Sequence, residues 1–137
     1  MKMDERQDKA VNSFGSDILV SASAGAGKTR VLVERLLKRC VKDRISLNEI
    51  LAVTFTEAAA AEMKNRIAKG LQDLAKTTED EEEKEYIRKQ LILLSDADIT
   101  TIDGFCLDII RKYYSVIGMD PARVNNEIGR ASCRERV

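Results

Sequence analysis

Histidine is absent from the 137 residues. Its absence removes Ser-His-Asp and Cys-His catalysis, His-Glu-x-x-His metal sites and any imidazole switch. Cysteine is scarce: three residues, an odd number at wide spacing, with no Cys-x-x-Cys. Such a set builds neither a disulfide framework nor a zinc site, and a reduced, cytoplasmic setting is expected. An excess of one charge is missing too, because 23 Lys and Arg balance 23 Asp and Glu. The chain as a whole therefore does not advertise nucleic-acid binding, although a local basic groove stays open. No apolar run approaches the ~18 residues that cross a bilayer. The segment from Met1 to Val11 is charged and lacks an apolar centre, so it does not read as a secretory signal.

What remains fits a soluble globular protein: 44% hydrophobic and 34% charged residues, within the range of packed domains. The length suits one domain or a piece of one. Asp4 to Ser13 reads as a short polar helix, ended by Gly15-Ser16. Asp17 to Ala22 is an apolar run between turn signals and reads as a buried strand. A small-residue loop, Ser23 to Gly27, leads into a helix from about Lys28 to Val41, with Val33, Leu36, Leu37 and Cys40 at helical spacing.

Ser46 and Glu49 have the spacing of a capping box. Ile50 to Phe55 is a second buried-strand candidate. Thr56 suits the N-cap of a helix that carries Ala60, Met63, Ile67, Leu71 and Leu74 on one stripe. The charged stretch from Lys76 to Glu85 reads as a solvated turn running into a surface helix rather than a metal cage. Ile87, Leu91 and Leu94 continue that helix. Asp98 to Ile102 is a short third strand, and a last helix places Phe105, Cys106, Ile109, Ile110 and Tyr113 on one side. Asp120-Pro121 ends the patterned region. Residues 125–137 show no hydrophobic period and read as an unstructured, non-native tail. Repeated strand, loop and helix imply an α/β fold: a parallel sheet with flanking helices.

The strongest chemical signal is Ala22-Ser23-Ala24-Gly25-Ala26-Gly27-Lys28-Thr29, which follows a strand candidate and opens a helix. That context defines a P-loop. Gly25 and Gly27 let backbone N–H groups point inward at phosphate, and the helix N-terminus adds donors and partial positive charge. Lys28 would reach the β- and γ-phosphates of ATP, and Thr29 would place its hydroxyl on Mg²⁺. These two are the candidate catalytic residues. Ala22 departs from the strict pattern, which has Gly there. Leu91 to Asp96 imitates a Walker B strand, but Ile87, Leu91 and Leu94 favour a helix. Without that carboxylate the chain would bind nucleotide and hydrolyse it poorly.

Three blocks together resemble the UvrD/Rep-like superfamily 1 DNA helicases, and within them the AddA type. Glu5 to Val11 followed by Asp17 to Arg35 resembles the Q motif and motif I. Leu51 to Met63, with Thr-Phe-Thr before an alanine-rich helix, resembles motif Ia. Ala97 to Cys106 resembles motif Ib. The resemblance runs from about Asp4 to Pro121. It implies a P-loop NTPase fold with an incomplete RecA-like sheet, in which residues 1–124 form the N-terminal part of the first ATP-binding domain. It also implies that Ala22 is an accepted variant.

By the same resemblance Gln7 would read adenine, and Arg30 would belong to the nucleotide site. Thr54, Phe55 and Thr56 would face single-stranded DNA, where a ring offers a stacking face worth about 1–3 kcal/mol per base. Thr101 and Asp103 would mark a second DNA-contact loop. Asp103 replaces a His common in relatives. A carboxylate repels phosphate, so capping the next helix is the reading preferred for it. Phe105 is expected in the core, and Cys40 and Cys106 on apolar, inert faces.

The family's Walker B acids, its arginine finger and its second motor domain are not among these residues. The resemblance therefore implies the ATP-binding portion of a helicase that unwinds duplex DNA ends in break repair and recombination with an AddB-type partner subunit. The portion alone is expected to be inactive, and open sheet edges are expected to make it poorly soluble. A small P-loop kinase and a non-catalytic nucleotide-binding module are the competing readings.

Overall fold

The computed structural model describes residues 3–23 and 27–118. Among these described residues five α-helices and two strands follow one another: α1 (Glu5–Asn12), α2 (Lys28–Val41), a 3-10 turn (Leu47–Glu49), β1 (Leu51–Thr54), α3 (Glu57–Thr77), α4 (Glu81–Leu93), β2 (Asp98–Thr101) and α5 (Ile102–Tyr113). The 125–137 tail lies outside the described residues.

Local chemistry sets the helix starts. Asp4 and Gln7 form a reciprocal capping box at α1. Ser46 and Glu49 do the same, but they open the 3-10 turn. Thr56 accepts from the Ala59 amide at 3.1 Å and starts α3, as its position before the alanine run suggests. Asp80 caps α4 through the Glu82 amide. Each such cap satisfies a donor that the helix itself leaves unpaired, worth about 1 kcal/mol.

β1 and β2 pair in parallel, with Leu51 opposite Asp98, Ala52 opposite Ile99, Val53 opposite Thr100 and Thr54 opposite Thr101. α3 and α4 form the connection between them, so the fold is mixed α/β with two parallel strands and flanking helices. The core lies between α2, α3, α4 and one face of the strands. Cys40, Leu47, Ile67, Leu71 and Ile87 are buried at its centre. Gln90 is buried there as well, and its Oε1 accepts from the Leu47 amide at 2.9 Å and from the Ser46 hydroxyl at 3.3 Å. A polar side chain enters the core because it satisfies a buried backbone donor.

Three expectations need correction, and one is upheld. Residues 17–22 do not form a strand, and Leu19 is 95% exposed. Among the described residues β1 and β2 pair only with each other, so this apolar run has no ladder to join, and the sheet has two strands rather than three. β1 is not buried on both faces: Ala52 points inward while Leu51 and Val53 stay exposed, because helices cover a single face. α5 buries none of its residues. Phe105 is half-buried rather than core, and Cys106 is exposed, since among the described residues α5 packs mainly against the strands. Finally, α4 continues helical through Leu93, and Asp96 stands in the turn beyond it. The Walker B reading of Leu91 to Asp96 is thereby excluded, in favour of the helix.

Candidate functional site

α2 begins at Lys28 directly after Gly27, whose φ of 81° is left-handed. An L side chain there would cost about 1–2 kcal/mol, so the position favours glycine. Gly27 also contributes no side-chain cap. No Gly27 side chain therefore takes up the first-turn N–H groups of α2, an arrangement compatible with an anion there. Lys28 folds back, and its Nζ donates to the Ala22 carbonyl at 2.7 Å. The ammonium consequently spans the loop from its first residue to the first residue of the helix. Ala24, Gly25 and Ala26 lie outside the described residues. Ser23 is exposed beside them, and Thr29 is exposed in the first turn of α2.

α1 delivers a second group to the same place. A β-carbon built on Gly27 would stand 3.3 Å from the Gln7 amide nitrogen. Gln7, twenty residues upstream in sequence, is therefore a neighbour of the loop, while its Oε1 accepts from the Asp4 amide at 3.1 Å. Arg30 follows on α2 and is half-buried. A hollow of about 290 Å³ opens beside Lys28, walled by Ala10, Ile18, Val20, Val31, Leu32 and Arg35. These groups stand together at the start of α2. They are a left-handed glycine that gives the helix no side-chain cap and the Lys28 ammonium, and no carboxylate stands among the described residues that wall the hollow.

The far end of α1 is held by cations from α2. Arg35 Nη1 donates to the carbonyls of Ala10 at 2.8 Å and Ser13 at 2.7 Å, with that of Val11 at 3.4 Å. Arg39 donates to the Ser13 carbonyl, pairs with Asp43 at 2.5 Å and stacks 4.5 Å over the Phe14 ring. Lys38 donates to Asn12 Oδ1. Burial, reinforced by the nearby Arg39 charge and opposed by Asp43, pushes the Arg35 guanidinium below its ordinary range.

A second cluster forms at the carboxyl edge of the strands. Thr54 and Thr101 are register partners, so the two sequence blocks that carry them meet there. Both blocks pass straight into helices, α3 and α5, whose positive ends share that edge. Thr54 Oγ1 donates to the Thr56 carbonyl at 2.9 Å, tightening the turn between them. Phe55, on that turn, is 99% exposed, which removes core packing as its role.

Thr101 Oγ1 accepts from the Gly104 amide at 3.1 Å and is the N-cap of α5. The expected capping role of Asp103 is thereby corrected, because the hydroxyl reaches the orphan amide first. Asp103 stands exposed in the first turn, where its charge suits the helix pole. Gly104 at this edge escaped the sequence reading. A β-carbon on it would collide with Thr100 Oγ1, so α5 meets β2 closely only because position 104 is glycine. The glycine inside a helical pattern was the available signal. Arg35 and Gln90 were also missed, since each looks like a surface residue of an amphipathic helix.

Comparison with known proteins gives the family of the chain. Residues 3–132 match the UvrD/REP helicase N-terminal domain. The chain is 49% identical over 120 residues to the A-type subunit of the ATP-dependent helicase/nuclease from Lactobacillus johnsonii, covering 88% of this chain and 10% of that protein. It is 51% identical over 120 residues to the corresponding protein of Ligilactobacillus salivarius, with the same coverage. To that of Bacillus cereus it is 47% identical over 134 residues, 96% of this chain and 11% of that one. The chain thus spans about a tenth of the length of the curated relatives it matches. A family match over nearly the whole chain, falling on a left-handed glycine, a loop-spanning lysine and a parallel strand edge, places this chain in the UvrD/REP helicase N-terminal domain family.

Proposed function

We propose that the chain is the ATP-binding portion of an AddA-type DNA helicase, with residues 1–124 forming the N-terminal part of a RecA-like motor domain. One observation carries the reading: the Lys28 ammonium bridges the loop to the Ala22 carbonyl in front of an uncapped helix N-terminus. A triphosphate offers stronger, charged acceptors than a neutral carbonyl, so Lys28 transfers to it on binding. Residues 22–29 cradle the phosphates, Thr29 holds Mg²⁺ through its hydroxyl, and Gln7 and Arg30 complete the nucleotide side. Bound Mg²⁺ supplies charge neutralisation at the phosphates. The chain's own residues orient them.

At the strand edge, Phe55 stacks on a base of single-stranded DNA, while Thr54, Thr56 and Thr101 bond its phosphates. Asp103 stays off the backbone and serves the helix pole. Within the whole protein the activity is ATP-driven unwinding at duplex ends during break repair and recombination. It takes place in the cytoplasm beside the chromosome, with an AddB-type partner subunit. By themselves these residues bind nucleotide and turn it over slowly, since Asp96 sits in a turn and not at a strand end.

The test is calorimetric titration of the chain with Mg²⁺-ATP, followed by turnover with and without single-stranded DNA. Binding that disappears in Lys28→Ala supports the reading. Binding that survives Lys28→Ala rejects it. Turnover stimulated by a small hydroxyl acceptor and indifferent to DNA would assign a kinase instead.

A further inference from the structure

We infer that Arg35 is a positioning residue for the nucleotide site, acting through α1 on Gln7; the inference rests on the ATP-binding reading above. α1 has eight residues. A helix that short does not hold itself in water, because the nucleation cost exceeds what its few hydrogen bonds return. It must be fastened by its neighbours. Its N-terminal half carries Gln7, whose amide nitrogen lies against Gly27 at the start of α2. Its C-terminal end presents carbonyls that have no intrahelical partner.

Arg35 gathers those carbonyls. One nitrogen serves Ala10 and Ser13 within 2.8 Å and reaches towards Val11 at 3.4 Å. A cation at the negative pole of a helix is favourable twice over, by hydrogen bond and by dipole. Arg39 helps, but it divides its donors between Ser13 and Asp43. Arg35 is also two turns from Lys28 on α2 and lines the hollow beside it. The same helix therefore carries the phosphate cation at its start and the fastening for α1 further along. Docking of α1 and placement of the Gln7 amide become one event, and Arg35 controls it without touching nucleotide.

The test compares ATP with inorganic tripolyphosphate, titrated into the full chain and into Arg35→Ala. A residue acting through Gln7 lowers ATP affinity roughly tenfold, the scale of one or two lost amide hydrogen bonds, and leaves tripolyphosphate within about twofold. In a Gln7→Ala background Arg35→Ala then causes no further loss. An equal fall for both ligands, or losses that multiply in the double variant, overturns the inference while leaving the ATP site intact. A wild-type chain that binds neither ligand overturns the underlying reading instead. Should Arg35→Ala fail to fold, Arg35→Lys keeps the charge with a single-point donor. It is expected to lose about threefold for ATP alone, and no loss, or an equal loss for both ligands, counts against the proposal.

Discussion

Substituting Gly27 by alanine probes the backbone on which the phosphate cradle depends. At φ 81° the added β-carbon meets the left-handed penalty of about 1–2 kcal/mol. It also comes within 3.3 Å of the Gln7 amide nitrogen, close enough to press a flexible side chain aside by a few tenths of an ångström. Gly15 supplies the control: its φ is 79°, and a β-carbon there meets nothing within 4 Å. Gly15→Ala carries the strain alone, whereas Gly27→Ala carries the strain together with a displaced Gln7 and a tilted start of α2.

Both variants should lower the thermal midpoint, by roughly 4 °C per kcal/mol for a chain of this size. Only Gly27→Ala should weaken ATP. Turning one first-turn N–H away from phosphate removes a charge-assisted hydrogen bond of about 1.5–3 kcal/mol, which is roughly 10- to 100-fold in affinity. Thermal melts and ATP titrations on the two variants decide it. Equal ATP affinity in Gly27→Ala and Gly15→Ala would refute the cradle argument. Wild-type stability in both would refute the strain argument.

Phe55→Ala should leave the thermal midpoint unchanged, since the ring is 99% exposed. It should weaken single-stranded DNA by about 1–3 kcal/mol in an anisotropy titration if the ring stacks on a base. Gln90→Leu strands the Leu47 amide without its acceptor and should cost about 1–3 kcal/mol in a urea melt, a larger loss than its near-isosteric shape would suggest. Burial pushes the Cys40 thiol up to about 11 from 9.0. The folded state then holds its proton after the unfolded state has released it, so this contribution is whole below pH 9.0 and is lost as pH climbs through about 11. A urea-melt series across that window should show stability falling with pH, and the slope should shrink in Cys40→Ala, leaving the part due to Tyr86, whose phenol is also pushed up by burial. At pH 8, peptide mapping after thiol labelling should find Cys106 modified and Cys40 protected, because one is exposed and the other buried.

Much of this was legible in the residues themselves. Of the stripe Ala60, Met63, Ile67, Leu71 and Leu74, the first four are buried and Leu74 is exposed, and the caps at Thr56 and Ser46 form where the side chains allow them. The helical period of Ile87 and Leu91 rightly outweighed the likeness of Leu91 to Asp96 to a strand. What misled was local hydrophobicity read without partners. Ile18-Leu19-Val20 has the composition of a buried strand, but burial belongs to the ladder beside a strand and not to the strand's own side chains. The α5 stripe failed for the same reason. Contacts between distant segments were not legible in spacing or composition: only the family resemblance put Gln7 at the same site as the Gly27 loop, and no pattern opposes Thr54 to Thr101 or sends Gln90 to the Leu47 amide. Those pairings arise only once α1 docks and the two strands choose their register.

The resting place of the Lys28 ammonium on the Ala22 carbonyl has a kinetic consequence. On the proposed reading, capture of a nucleotide would be an exchange and not a simple addition, since the cation must leave one oxygen before it serves another. Arrival would be slowed by that departure. Release would be helped by it on the same reading, because the Lys28–Ala22 contact re-forms as the ligand leaves.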